Sequence, residues 1–146
     1  FDGKLVYCST GFSKGNLLAI DPRGNGDVTT THVLWQASRA IGAKPSPILI
    51  GDNIVSLEDK GLLTAFRKET GEQVWQLRLG GDFSSSPVYA QGHLYCFDEK
   101  GAGHVVSSDG KLLHTNQLDS GCLASPAIVD HDLIVRTRDA LYCFRR

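Results

Sequence analysis

The feature that most limits how this chain can fold is a recurrence of about forty residues. Pro47, Pro87 and Pro126 each follow a serine, in Ser46-Pro47-Ile48-Leu49, Ser86-Pro87-Val88-Tyr89 and Ser125-Pro126-Ala127-Ile128, and stand forty and then thirty-nine residues apart. Each Ser-Pro opens a short apolar strand, because proline has a fixed φ and no N–H and is tolerated at a strand's first residue. About five residues later a turn and a second strand follow, with Asp52-Asn53-Ile54-Val55-Ser56, Gly92-His93-Leu94-Tyr95-Cys96 and His131-Asp132-Leu133-Ile134-Val135 in register. Gly3-Lys4-Leu5-Val6-Tyr7 belongs to the same set.

A third strand comes after a charged loop. Leu63-Thr64-Ala65-Phe66-Arg67 matches Leu141-Tyr142-Cys143-Phe144-Arg145, and Leu17-Leu18-Ala19-Ile20-Asp21 has the same small central residue. That residue is expected where a neighbouring sheet approaches closely. The fourth strand carries Trp35 in one copy, Trp75 in another and His114 at the corresponding place in a third. In Gln73-Val74-Trp75-Gln76-Leu77-Arg78-Leu79 the alternation is expected to set Val74 and the leucines on one face and Trp75 on the other. Lys68 to Glu72 reads as a polar turn in which Gly71 takes the positive φ of a tight reversal.

Four short strands every forty residues is the period of a propeller blade. The expected fold is all-β, with blades of four antiparallel strands. The copies divide into a partial blade at 1–38, complete blades at 45–80 and 86–119, and a partial blade at 125–146. No sustained helical spacing appears. A propeller closes with about four to eight blades, each burying its faces only against neighbours. Three and a half blades are therefore expected to be a fragment of a larger ring, completed by more of the parent chain or by another copy.

Composition narrows the function classes. The 146 residues are 41% hydrophobic and 21% charged with net charge −1, an ordinary globular balance without the basic excess that marks nucleic-acid binding. No stretch approaches the roughly 18 apolar residues of a membrane-spanning helix, and methionine is absent, so residue 1 reads as something other than a translational start. Cys8, Cys96, Cys122 and Cys143 lack the close pairs of zinc or dense disulfide frameworks and read as buried thiols, with one disulfide left open.

Ala65-x-x-x-x-Thr70-Gly71-Glu72-x-x-Trp75 resembles the repeat of the pyrroloquinoline-quinone-like β-propellers, the quinoprotein dehydrogenase superfamily, whose pattern is Ala-x-Asp-x-x-Thr-Gly-Lys-x-x-Trp. Arg67 replaces the usual aspartate, which Asp21 keeps in the first copy, and Glu72 replaces the lysine. The resemblance implies that Trp35, Ala65, Thr70, Gly71, Trp75 and His114 serve blade packing. It also implies an exported bacterial protein, periplasmic or secreted, in a superfamily that includes a non-catalytic scaffold for outer-membrane protein assembly. Quinone-binding members hold their cofactor between a tryptophan and a vicinal disulfide, beside calcium. This sequence has no adjacent cysteines, so the quinone and calcium would enter only through blades beyond the chain.

No constellation for catalysis or metal binding emerges. Gly101-Ala102-Gly103-His104 runs into a strand rather than a helix and reads as a hairpin loop. Ser84-Ser85-Ser86 has no nucleophile elbow and reads as a cap on the turn before Pro87. His32, His93, His104, His114 and His131 lack ligand spacing, and Arg23 interrupts the oxygen-rich loop from Asp21 to Asp27. The candidate binding residues come from loops that a propeller gathers on one face: Arg39, Lys44, Asp59, Asp82, Phe83, Glu99, Arg136 and Arg138. The expected function is a non-catalytic binding or scaffolding module with a protein partner, and no nucleic acid or membrane span. The alternatives are the C-terminal part of a quinone-dependent alcohol or sugar dehydrogenase, and a fragment that assembles with itself.

Overall fold

The structure, a computed structural model, describes residues 1–11 and 15–145. The remaining positions, 12–14 in the first copy and 146 in the last, lie outside the described residues. Fourteen strands form four antiparallel sheets among the described residues. The first sheet holds β1 (Val6–Thr10), β2 (Asn16–Ile20) and β3 (Val33–Ala37). The second holds β4 (Ile48–Ile50), β5 (Asn53–Leu57), β6 (Leu62–Arg67) and β7 (Gln73–Arg78), and the third β8 (Val88–Ala90), β9 (His93–Phe97), β10 (Ala102–Ser107) and β11 (Leu112–Gln117). The fourth holds β12 (Ala127–Val129), β13 (Asp132–Arg136) and β14 (Leu141–Arg145). Within each sheet every strand pairs with the next in sequence, which is the meander of a propeller blade.

The core lies between sheets rather than within one. Leu17, Ile54, Phe66 and Ile41 close the space between the first and second sheets, with Tyr7, Trp35 and Leu49 against them. Val55, Leu57, Leu63 and Ala65 of the second sheet meet Leu94, Cys96 and Val106 of the third. Phe97, Cys122 and Val135 join the third to the fourth. Successive residues of β5 and β6 therefore bury opposite faces, Ile54 toward the first sheet and Val55 toward the third, so these strands are apolar almost without interruption. At roughly 25 cal/mol per Å² of apolar area, such two-sided burial is the main force holding one sheet to the next.

The register places three side chains at one station. Ala19 lies opposite Trp35, Ala65 opposite Trp75 and Val105 opposite His114, and in each pair of strands a β-bulge follows immediately. The indole of Trp35 lies over Gly71 in the turn of the next sheet, so close that a Cβ there would fall 2.6 Å from the ring. Trp75 lies over Gly110 in the same way, at 2.5 Å. His114 is exposed, because no turn of a following sheet covers it among the described residues. Thr70 accepts the N–H of Glu72 at 3.3 Å and stays at the surface, shaping the turn that presents Gly71.

A second set of contacts links the innermost strands. The N–H of Ser46 donates to Ser86 Oγ at 2.9 Å, and the N–H of Ser86 donates to Ser125 Oγ at 2.9 Å. The Ser-Pro serines thus pass one hydrogen bond from sheet to sheet, rather than capping their own turns. Ser85 is tied inward as well, its hydroxyl donating to the Phe97 carbonyl at 2.7 Å.

Two sequence expectations are corrected here. Trp75 shares its face with Leu77 and Leu79, all three against the core, while Val74 lies exposed on the other side. A period of two requires this grouping, since 75, 77 and 79 are alternate residues. The cysteines divide: Cys96 and Cys122 are buried, but Cys8 and Cys143 are exposed and all four are free thiols. Cys143 has the station of Ala65 but no sheet over it, and its thiol donates to Asp132 Oδ2 at 3.6 Å.

The stacking of indole on glycine is testable by comparing two glycines that both have positive φ, Gly71 at 73° and Gly51 at 56°. Nothing lies near a Cβ built on Gly51. Gly51→Ala is expected to cost only the backbone penalty, about 1 kcal/mol, and Gly71→Ala about 2–4 kcal/mol because it also displaces Trp35. Denaturant unfolding of both variants measures the difference, and equal losses would remove the role assigned to the stack.

Candidate functional site

Because strands alternate in direction, the turns within β4–β5 and β6–β7 lie at one end of a sheet, and the connections between β5 and β6 and between sheets lie at the other. The candidate residues come from this second end. Asp59 uses Oδ1 to accept the N–H groups of Ala43 and Lys44, at 2.8 and 3.2 Å, and so fixes the loop that carries Lys44. Lys44 Nζ reaches the third sheet, donating to Glu99 Oε1 at 3.1 Å and Ser84 Oγ at 3.3 Å. Ser84 Oγ donates to the same Glu99 oxygen at 2.5 Å. Lys60 Nζ spans the same gap to Asp82 Oδ1 at 2.5 Å.

These bonds depress the acids they touch. The Ser84 hydroxyl, then Lys44, holds the Glu99 carboxyl below its ordinary range, and Lys60 does the same for Asp82. Exposed pairs of this kind are screened by solvent and stabilise little, so their main effect is to set loop positions. Under them Asp98 is buried, its Oδ1 accepting the N–H groups of Lys100 and Ala102 at 2.9 and 2.7 Å.

The structure brings Lys44, Asp59, Asp82 and Glu99 together, whereas Arg39 stands apart toward the first sheet and Arg136 and Arg138 stand on the fourth. These arginines are exposed and, among the described residues, carry no ion pair. Leu123 is exposed at the position where the earlier copies have Ser84 and Lys44. Phe83 is a correction: it is fully buried, in the core between the second and third sheets with its ring 6.0 Å from that of His104. A large aromatic in a loop next to apolar strands seals the end of the inter-sheet core, which outweighs its place in the binding-face loop. Sequence reasoning missed Ser84 as a part of the charged network. The forty-residue alignment of Lys44 with Ser84 is the signal that could have found it.

Two thiols and one imidazole are turned inward. Burial pushes the Cys96 thiol up to about 12, and burial, with Asp98 and Asp119 nearby, raises that of Cys122. His104 is buried against Thr115, Nδ1 to Oγ1 3.2 Å, and burial lowers its pKa despite the opposing charge of Asp98. Among the described residues, no three His, Cys, Asp or Glu side chains are grouped to hold a metal ion.

The thiols supply a check on this arrangement. Iodoacetamide at mildly alkaline pH is expected to modify Cys8 and Cys143 in the native protein, and Cys96 and Cys122 only after denaturation, because a raised pKa and burial both withhold the thiolate. Mass spectrometry of the peptides reads the pattern, and rapid native labelling of Cys96 would contradict the packing of the second sheet on the third.

With this geometry in place, comparison with known proteins is direct. Residues 13–144 match the model of the family described as outer membrane protein assembly factor BamB. The BamB of Burkholderia pseudomallei (strain K96243) is 30% identical over 109 residues, which is 73% of this chain and 28% of that protein. The crystal structure of BamB from Moraxella catarrhalis superposes with a TM-score of 0.76 at 20% identity, over 97% of this chain and 42% of that one. A europium-containing methanol dehydrogenase gives a TM-score of 0.61 at 11% identity over 79% of this chain and 23% of its own. The chain therefore spans about a quarter of the curated relative, and the likeness to the two solved structures is one of fold.

Proposed function

The chain belongs to the outer membrane protein assembly factor BamB family, and from that premise we propose that it is the blade-bearing part of a periplasmic scaffolding protein that binds a protein partner without catalysing a reaction. The observation that carries this reading is the unequal distribution of charge over the loop face. In the second and third sheets Lys44 is paired with Glu99 and Lys60 with Asp82. Arg138, on the loop between β13 and β14, is exposed and has no ion pair among the described residues, whereas Arg136 lies opposite Leu141 on the sheet face that a further blade would cover. An unpaired guanidinium on a loop held by a rigid scaffold is a group that a carboxylate of a protein partner engages.

The blades are proposed to join further blades of the parent protein or, in the third reading, another copy. Leu141 is 71% exposed on β14, whose outer edge is unpaired among the described residues. A sheet with one uncovered face and one free edge is the ordinary state of a blade awaiting its neighbour.

A quinone-dependent dehydrogenase is the competing reading, and this chain's own residues do not fit that cofactor. Both indoles lie against glycines of a neighbouring sheet, and the four cysteines are dispersed over separate strands and loops. Titration of the full-length protein with pyrroloquinoline quinone and calcium is expected to give neither a thermal shift nor dye-linked alcohol oxidation. A saturable shift accompanied by turnover would replace the scaffold with the enzyme.

The patch itself is tested in cells. The variant Arg138→Glu, placed in the full-length protein, is expected to lower the yield of assembled outer-membrane proteins toward that of a strain lacking the protein. Its abundance should remain normal, since the side chain is exposed on a loop. Full complementation by the variant would count against this face as the partner site.

A further inference from the structure

The two faces of the fourth sheet meet different surroundings. Leu133 and Val135 of β13 and Tyr142 of β14 pack on the third sheet. Ile134 and Arg136 therefore point the other way, together with the residues opposite them on β14, Cys143 and Leu141. That face is apolar except for Asp132, Arg145 and Arg136. The first two satisfy one another, Arg145 donating from Nε to Asp132 Oδ1 at 2.9 Å and from Nη2 to Oδ2 at 2.6 Å. Arg136 has no ion pair among the described residues.

Strand register shows what becomes of this place when a sheet lies over it. Val55 faces Ala65 and Leu57 faces Leu63 in the second sheet, Tyr95 faces Val105 and Phe97 faces Gly103 in the third, and Ile134 faces Cys143 and Arg136 faces Leu141 in the fourth. Arg136 thus stands where the covered sheets have Leu57 and Phe97, which are 0% and 7% exposed. Leu57 shares its core cluster with Phe83, and Phe97 shares its own with Cys122. Phe83 and Cys122 each stand four residues before the proline of the following sheet, in the connection that enters it. A sheet docking on the fourth therefore brings its entering connection against Arg136.

A leucine or phenylalanine gains from that burial, but a guanidinium keeps its charge and loses its water. A carboxylate brought against it by the covering sheet offsets the loss, through the fork of parallel N–H···O bonds that arginine makes with an acid. A second copy of this chain does not offer one. Leu17 and Tyr7 of the first sheet pack on the second, so Val6, Cys8, Leu18 and Ile20 form its opposite face, which carries no acid. Asp2 lies at the other end of that sheet and is held by the N–H groups of Lys4 and Leu5, at 2.9 and 2.7 Å.

We propose, resting on the reading that these sheets join further blades, that the uncovered face of the fourth sheet docks a blade of the same parent protein whose entering connection sets an aspartate or glutamate against Arg136. The apolar part of the face accepts any blade. The guanidinium makes it selective, because a sheet that brings no acid, the first sheet of a second copy included, leaves a buried charge unpaired.

The test uses the full-length protein. Arg136→Met leaves the opposing carboxylate buried and alone, and is expected to lower the midpoint of urea unfolding by roughly 1 M, with Arg136→Lys recovering part of the loss. Where no acid stands opposite, methionine only restores the apolar character of Leu57 and Phe97, and an unchanged or raised midpoint would overturn the proposal. Iodoacetamide labelling of Cys143, on the same face, separates this failure from that of the reading beneath it. Exposed in residues 1–146, Cys143 is expected to be shielded in the full-length protein until denaturation. Shielding with an unchanged Arg136→Met midpoint removes the acid but keeps the covering blade, whereas rapid native labelling removes both. Sedimentation identifies the occupant: a monomer is expected, and a dimer with Cys143 shielded would give the face to a second copy and overturn the proposal.

Discussion

The structure depends on one contact made repeatedly, a large side chain of a sheet's outermost strand laid flat over a glycine in the hairpin of the next sheet. No single sheet here has a core, since the buried residues of β5 and β6 point alternately toward two different neighbours. What must be specified is how one sheet sits on another, and interdigitated aliphatic side chains alone would allow sliding along the strands. An indole seated on Gly71 or Gly110 removes that freedom, because any displacement brings the ring against a side chain or carbonyl instead of a bare α-carbon. The bulge after Ala65, and its counterparts after Ala19 and Val105, sit beside the same station and recur with it.

At the inner end, the same problem of registration is solved with polar groups. The serines before Pro47 and Pro87 each offer an N–H to the serine hydroxyl of the following sheet, so the spacing of forty residues in the sequence becomes a line of hydrogen bonds in space. At the loop face, Lys44 and Lys60 carry out a looser version of the same task by reaching from one sheet to acids of the next. Polar side chains that might look like a binding site are in large part consumed by holding the sheets together. Arg138, without an ion pair among the described residues, stands out against that background.

The architecture was legible because a period of forty residues and a period of two are both written in side-chain polarity, and each follows directly from backbone geometry. The Ser-Pro strands, the tryptophan station and the absence of helix were all readable in this way. Side-chain destinations in loops were less so. Phe83 and Asp82 are adjacent, and only the position of the third sheet decides that one closes a core while the other meets Lys60. Cys143 and Ala65 share a station, yet burial depends on whether another sheet follows, which is not a property of the strand itself. His114 differs from Trp75 for the same reason. The serine relay escaped notice because serine before proline has a sufficient local explanation as a turn residue, and its partner lies forty residues away.

Repetition also lets one junction be read against another. The Trp35 indole donates to the carbonyl of Lys68, which Tyr7 bonds as well, whereas the Trp75 indole N–H is buried without a partner among the described residues, over a hairpin one residue shorter. The glycine under the ring, the small residue opposite it and the bulge that follows are the same at both junctions. The stack on glycine, and not the hydrogen bond at the edge of the indole, is therefore what the docking of one sheet on the next requires.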